Sequence, residues 1–165
     1  MGHLTVAEAR RLFCYDPETG IIAWRQGTGY AQQRSGVAGY IGDDGRVTIR
    51  CGGRLYLASR LAWAIHYGRW PRLIVDHKDG NPSNNRIANL RLASKTQNQM
   101  NQRLRKDSSS GLKGVTFHKK AGKWCAQITA FGRRNYLGLF STPEEAHAAY
   151  CEAAARLHGE FARVR

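Results

Sequence analysis

The sequence predicts an α+β fold in two parts, and three observations predict it. Residues 112–140 alternate apolar and polar side chains in three successive runs, then give way to a capped helical pattern. Residues 73–102 read as strand, loop, strand and helix. Before them lie short apolar runs separated by Asp-Gly and Gly-Gly turns. With 165 residues, 42% of them hydrophobic and 10% aromatic, the chain can bury a core, which excludes general disorder.

Charge narrows the partners. Lys and Arg number 26 against 12 Asp and Glu, a net charge of +14. Residues 1–102 carry 14 basic and 7 acidic side chains, and residues 111–165 carry 9 and 4, so no single tail holds the excess. A soluble chain this basic is expected to meet a polyanion, most often nucleic acid; a surface kept basic for solubility is the plain alternative. Apolar stretches such as Leu73-Ile74-Val75 are too short to cross a membrane. Met1 to Phe13 lacks the apolar core of a signal peptide, so a cytoplasmic protein is expected. Cys14, Cys51, Cys125 and Cys151 are far apart and form no CxxC pair. They read as buried or half-buried reduced thiols, with no zinc site.

The first part opens with a helix from Val6 to Phe13, capped by Thr5, with Glu8 completing a capping box. A hairpin follows, Phe13–Tyr15 and Ile21–Trp24 around the turn Asp16-Pro17-Glu18-Thr19-Gly20. After a polar loop, Gln26–Ser35, short strands are expected near Ala38–Ile41, Arg46–Arg50 and Arg54–Leu57. Ala58–Tyr67 reads as a helix ended by Gly68 and Pro71. Leu73–His77 is an apolar strand running into Asp76 and His77, and a turn-rich loop leads to a strand at Asn89–Ala93. Ser94 caps a helix through Gln102. The basic, Ser-rich stretch Arg103–Gly111 reads as a linker. The expected organisation is therefore a β-rich region 1–72, the strand–loop–strand–helix unit 73–102, the linker 103–111 and a second domain 112–165.

In the second domain, strands at Lys113–His118, Lys123–Ala130 and Arg134–Phe140 put Val115, Phe117, Trp124, Ala126, Ile128, Ala130, Leu137 and Leu139 on one face. Thr116, His118, Cys125, Gln127, Thr129, Arg134 and Tyr136 take the other. Thr142-Pro143-Glu144-Glu145 starts a helix as a capping box with Pro at its first position. Its stripe of Ala146, Ala149, Tyr150, Ala153 and Leu157 packs on the apolar face, leaving the polar face open.

Chemistry concentrates at Asp76, His77 and Asn98. A strand ending in Asp-His, folded against a helix carrying Asn98, can place all three in one cleft. A hard cation such as Mg²⁺ (or Mn²⁺) takes oxygen ligands and keeps several waters, so Asp76 and Asn98 suffice as its protein ligands. His77 is then left to take a proton from water. Such a set is what phosphodiester hydrolysis needs. The plain alternative is a polar turn beside a solvated helix.

The stretch VDHKDGNPSNNRIANLRLASKTQNQMNQ, Val75 to Gln102, resembles the HNH motif of phage and intron-borne homing endonucleases. So do YDPETGIIAW, GYIGDDGRVTIR and SRLAWAIHYGRWP upstream. The resemblance implies a ββα-metal fold, Asp76 and Asn98 as metal ligands, His77 as general base, and Asn89 as the central Asn that braces the loop and orients the His. Such proteins often carry His before Arg where this chain has Ser59-Arg60.

The segment from Ser110 to Tyr150 is similar to the DNA-binding domain of plant APETALA2 and ethylene-response factors. Its landmarks are Lys113-Gly114-Val115, Gly122-Lys123-Trp124, Tyr136-Leu137-Gly138 and the Glu-Glu-Ala helix start. In that family the three-stranded sheet lies in the major groove. The resemblance puts Lys113, Thr116, His118, Gln127, Thr129, Arg134 and Tyr136 toward DNA. Thr116, His118 and Thr129 stand where the plant domains carry Arg, so sequence preference is expected to differ.

The expectation is a divalent-metal-dependent HNH endonuclease that hydrolyses one strand of double-stranded DNA; the resemblance implies 5′-phosphate and 3′-hydroxyl ends. It is expected to bind as a monomer in a bacterial or phage-infected cell. The alternatives are a non-catalytic DNA-binding regulator with the same folds and an RNA-processing nuclease.

Overall fold

A computed structural model describes residues 4–26, 36–101, 104, 108, 110–162 and 164. Most of the expected polar loop 26–35 and of the expected linker 103–111 lies outside the described residues. The chain folds as two compact units, Met1–Ala93 and Ser94–Arg165.

In the first unit α1 (Val6–Leu12) starts where the sequence says it should. Thr5 Oγ1 accepts the Glu8 N–H at 3.2 Å, and the Glu8 carboxylate accepts the Thr5 N–H at 2.8 Å. Two orphan donors of the first turn are thereby satisfied reciprocally. β1 (Phe13–Tyr15) and β2 (Ile22–Trp24) form an antiparallel hairpin. β3 (Tyr40–Ile41), β4 (Val47–Cys51) and β5 (Arg54–Leu57) form a three-stranded sheet in that order. α2 (Ala58–Tyr67) follows β5 directly and stops at Gly68, whose φ of 72° only glycine adopts without strain.

Phe13, Ile22, Ile49, Tyr56, Leu61, Ala62, Val75 and Leu90 meet in one core, which fixes the hairpin, the sheet and α2 together. Each fully buried large side chain there contributes about 1.5–3 kcal/mol. Arg60, beside buried Ser59, donates to the carbonyls of Pro71 and Leu73 and so sets the entry into the next strand. That strand, β6 (Ile74–His77), pairs antiparallel with β7 (Leu90–Ala93).

In the second unit α3 (Lys95–Met100) is capped by Ser94, with Gln97 closing the box. β8 (Val115–His118), β9 (Lys123–Ala130) and β10 (Arg133–Phe140) form an antiparallel sheet with β9 central. α4 (Pro143–His158) starts at the Thr142–Glu145 capping box and covers one face. Val115, Ala126 and Ile128 pack against Ala146, Tyr150, Ala153 and Ala154. Gly114, at φ 78°, lies against the Tyr150 ring so closely that any Cβ would strike it.

Two readings of side-chain direction change. Leu137 and Leu139 do not share the inner face. A register shift between Tyr136 and Gly138 inserts one residue into β10, so Leu137 reaches the core while Leu139 pairs with Cys125 and is exposed. Phe140 takes the inner position instead. Cys14, expected buried or half-buried, is exposed on β1, whereas Cys51 is buried and Cys125 and Cys151 are half-buried. Among the described residues no helix is long and apolar enough to cross a membrane.

Candidate active site and nucleic-acid interface

The site is built on β6, β7 and the loop between them. Asp76 stands directly across from Arg91 in the β6–β7 register. Arg91 Nε donates to Asp76 Oδ2 at 2.9 Å, with both side chains nine-tenths or more buried. A carboxylate out of water needs a counter-charge, and the cross-strand guanidinium supplies it.

His77 ends β6. Its Nε2 lies 3.2 Å from Oδ1 of Asn85, a residue only 3% exposed. Asn85 Nδ2 donates to the Ser83 carbonyl at 3.3 Å, which turns Oδ1 toward the imidazole. An oxygen there accepts, so Nε2 carries the proton and the lone pair falls on Nδ1. Burial pushes the His77 imidazole below its ordinary value, against the opposing effects of the Asn85 hydrogen bond and the Asp79 and Asp76 charges. The ring is therefore a neutral base with a defined tautomer at neutral pH.

Asn89 braces the loop. Its Oδ1 accepts the Asp79 N–H at 3.1 Å, and its Nδ2 donates to Asp79 Oδ1 at 3.0 Å and to the Asn84 carbonyl at 2.8 Å. Asp79 also accepts from Asn81 N and Asn84 Nδ2. Burial works against this carboxylate, but the three hydrogen bonds outweigh it and hold its pKa below the ordinary value. Asn89 holds the loop through Asp79 and Asn84, and Asn85 meets His77.

The loop is also held from outside. Tyr15 Oη donates to the Asn85 carbonyl at 2.8 Å, Ser83 Oγ donates to the Gly45 carbonyl at 2.7 Å, and the Ile87 N–H reaches the Pro17 carbonyl at 3.0 Å. Burial, then the nearby Asp16 charge, raises the Tyr15 phenol well above its usual range, so it stays a donor. The hairpin turn at Gly20 lies directly under the backbone of Asn85 and Arg86.

Asn98 is half-buried on α3, in the second unit. Among the described residues no three His, Cys, Asp or Glu side chains converge. The carboxylate of Asp76 and the amide oxygen of Asn98 are hard oxygen donors of the kind a divalent ion takes while keeping water and phosphate oxygens.

On the second unit's sheet, Thr116, His118, Thr129, Arg134 and Tyr136 are exposed and Gln127 half-exposed; Phe117, expected on the inner face, is exposed as well, and so is Asn135. Arg134 pairs across from Thr129, and Tyr136 from Gln127. Two of the expected contacts have local work as well. His118 Nδ1 accepts the Ala121 N–H at 3.2 Å and closes the β8–β9 turn, and Lys113 Nζ donates to the Met100 carbonyl at 2.8 Å.

Two family models match the chain: HNH endonuclease over residues 56–100, and AP2 domain over residues 110–160. Protein 3.8 of Escherichia phage T7 is 36% identical over 104 residues, covering 62% of this chain and 85% of that protein. The uncharacterized HNH endonuclease L560 of Acanthamoeba polyphaga mimivirus is 33% identical over 124 residues, 74% of this chain and 64% of that one. The chain belongs to the HNH endonuclease family and carries an AP2 domain. The AP2 part is 39% identical over 54 residues to the AP2-like ethylene-responsive transcription factor TOE2 of Arabidopsis thaliana, a third of this chain but only 11% of that protein. Both domain types are DNA-binding. HNH nucleases generally use a divalent metal ion.

For this HNH endonuclease, sequence reasoning missed the weight of Asn85. Asn85 also closes the loop, through its hydrogen bond to the Ser83 carbonyl. Nothing in the residue types sets it apart from Asn84 beside it, yet it is Asn85 that is buried.

Proposed function

We propose that this HNH endonuclease nicks double-stranded DNA, using His77 as general base and a divalent cation, Mg²⁺ or Mn²⁺, held by Asp76 and Asn98. The observation that carries the reading is the His77 ring, its Nε2 held 3.2 Å from Oδ1 of buried Asn85 and the residue itself next in sequence to the buried carboxylate of Asp76. The HNH family match spans both Asp76 and Asn98. When bound, the cation supplies positive charge to phosphate oxygens and to the leaving 3′-oxygen. His77 takes the proton from the attacking water. Asn85 holds the ring at Nε2, and Asn89 holds the loop that carries Asn85. Arg91 compensates the Asp76 charge from across the sheet.

In this reading residues 1–72 clamp DNA beside the cleft of 73–102. The domain 112–165 anchors the enzyme on flanking duplex through Lys113, Thr116, His118, Gln127, Thr129, Arg134 and Tyr136. One cleft per chain and two unlike DNA-contacting parts in tandem favour a monomer on an asymmetric site. The phage relative supports a role in the cytoplasm of a phage-infected bacterial cell.

The test is supercoiled plasmid incubated with and without Mg²⁺. Wild type should convert it to nicked circle only with the metal. His77→Ala should lower turnover by on the order of 10²–10⁴-fold while retaining DNA, and Asn98→Ala should raise the Mg²⁺ concentration needed. Cleavage by His77→Ala at the wild-type rate removes the base assignment. DNA binding without any cleavage by wild type favours the regulator. Linear product forming without a nicked intermediate removes the monomer.

A further inference from the structure

We propose that Phe131 is a wedge that enters duplex DNA between stacked bases at the hairpin-tip edge of the AP2 sheet. β9 and β10 are joined by a two-residue turn. Ala130 pairs with Arg133, leaving Phe131 at φ 51° and Gly132 at φ 74°. Two positive φ values in such a turn call for Asn-Gly or Gly-Gly, the residues that take that conformation without steric cost. For a bulky side chain it is a true outlier. Phe131 is the one non-glycine residue with positive φ among those described.

The same residue is 79% exposed, more than any other large hydrophobic side chain described. Turn chemistry disfavours phenylalanine here, and packing gives it nothing in return. A contact made only in a complex accounts for both.

The surroundings say what that complex is. A Cβ built on Gly132 meets no atom within 4 Å, so the turn opens to space beside Phe131. Arg133 and Arg134 follow immediately and are exposed, and Tyr136 lies farther along β10 at 65% exposure. An aromatic ring on a short stiff turn, with guanidinium groups beside it to meet phosphates, is suited to DNA. Phenylalanine is among the apolar side chains that DNA-bending proteins insert between base steps, and pyrimidine–purine steps open most easily. The proposal rests on the reading that this sheet binds duplex DNA and adds a local distortion that the sheet face alone does not make.

The experiment uses the full chain in buffer without divalent metal. Duplexes that wild type retains from a random pool are treated with permanganate, which oxidises unstacked thymines. The expected result is a hyperreactive thymine toward one edge of the protected region. Phe131→Ala should keep the footprint at saturation, lose the hyperreactive thymine and bind roughly 5- to 100-fold more weakly. Phe131→Gly should behave likewise toward DNA yet melt at a higher temperature, because glycine takes the turn conformation freely. Arg134→Ala should weaken binding but keep the hyperreactive thymine at saturation. Wild-type affinity and thymine reactivity in Phe131→Ala overturn the wedge while leaving DNA binding intact. Loss of self-association with unchanged DNA behaviour also overturns it, assigning the ring to a protein contact. If wild type retains no duplex, the DNA reading of the sheet falls and the wedge with it.

Discussion

The side-chain amide of Asn85 meets Nε2 of His77 at 3.2 Å, while the main-chain carbonyl of the same residue takes the Tyr15 hydroxyl at 2.8 Å. One buried asparagine thus links the β1–β2 hairpin to the imidazole. The imidazole's tautomer depends on the side-chain half of that link. Asn85→Ala should lower turnover by roughly 10- to 100-fold, since a misplaced catalytic group costs about that much, with DNA affinity unchanged. Asn85→Gln keeps the amide but moves it by one methylene and should recover little. Single-turnover cleavage at saturating protein measures this directly. A full wild-type rate in Asn85→Ala would mean that the ring is held by other contacts.

Gly20 carries the same link from the other side. It sits at φ 76°, and a Cβ there would come within 2.5 Å of the Asn85 carbonyl carbon. Main chain cannot yield as a side chain can. Gly20→Ala should therefore lower the melting temperature and also slow cleavage, because the backbone it displaces is the one that holds Asn85. Gly52 is the control: it also has positive φ, but nothing lies within 4 Å of its Cβ position. Gly52→Ala should lower stability through backbone strain, by about 1 kcal/mol, and leave the rate per folded molecule unchanged. Equal catalytic loss in both variants would remove the special role of the Gly20 approach.

How far sequence carried depended on whether the determining contact was local. The capping boxes Thr5–Glu8 and Thr142–Glu145 were legible because both partners lie three residues apart. The span of α2 was legible because apolar periodicity and Gly68 agree. Leu139 was not, because the inserted residue in β10 is set by pairing with β9 and leaves no mark in the alternation itself. Around the candidate site, Asp76 and His77 stood out as residue types. Arg91 did not, since a lone Arg in a strand gives no hint that it faces a buried Asp across the sheet. Asn85 was hidden among Asn81, Asn84 and Asn89 in a loop where asparagine is common for turn-making reasons.

The hydrogen-bonded Asp79 gives the loop a pH dependence. Its folded pKa lies below the ordinary value, because three hydrogen bonds to the carboxylate outweigh burial. A depressed folded pKa adds stability that is present above the unfolded pKa, about 3.9. That stability is lost as pH falls through the folded value. Between pH 5 and pH 3 the wild-type melting temperature should fall more steeply than that of Asp79→Asn, which has no carboxylate to protonate there. The two curves should converge at the acid end. Parallel curves across that range would show that Asp79 is not linked to folding.

Arg91 and Asp76 face each other across β6 and β7, both almost fully out of water. Breaking such a pair from one side strands the other charge in a low-dielectric interior. Arg91→Ala should therefore cost about 3–5 kcal/mol, far more than the loss of a surface ion pair, for which the usual figure is about 0–1 kcal/mol. Replacing both residues by leucine removes the stranded charge along with the pair, so Asp76→Leu/Arg91→Leu should recover most of that stability while remaining inactive. The comparison separates two jobs of Asp76. Folding needs its charge only when Arg91 is present, whereas the proposed cation needs its oxygen in every case. Urea unfolding followed by tryptophan fluorescence reads the first, since Trp24, Trp63 and Trp70 lie in this unit, and nicking of supercoiled plasmid reads the second. A loss under 1 kcal/mol in Arg91→Ala would show that water reaches the pair. Cleavage by the double variant would show that Asp76 is not needed at the site.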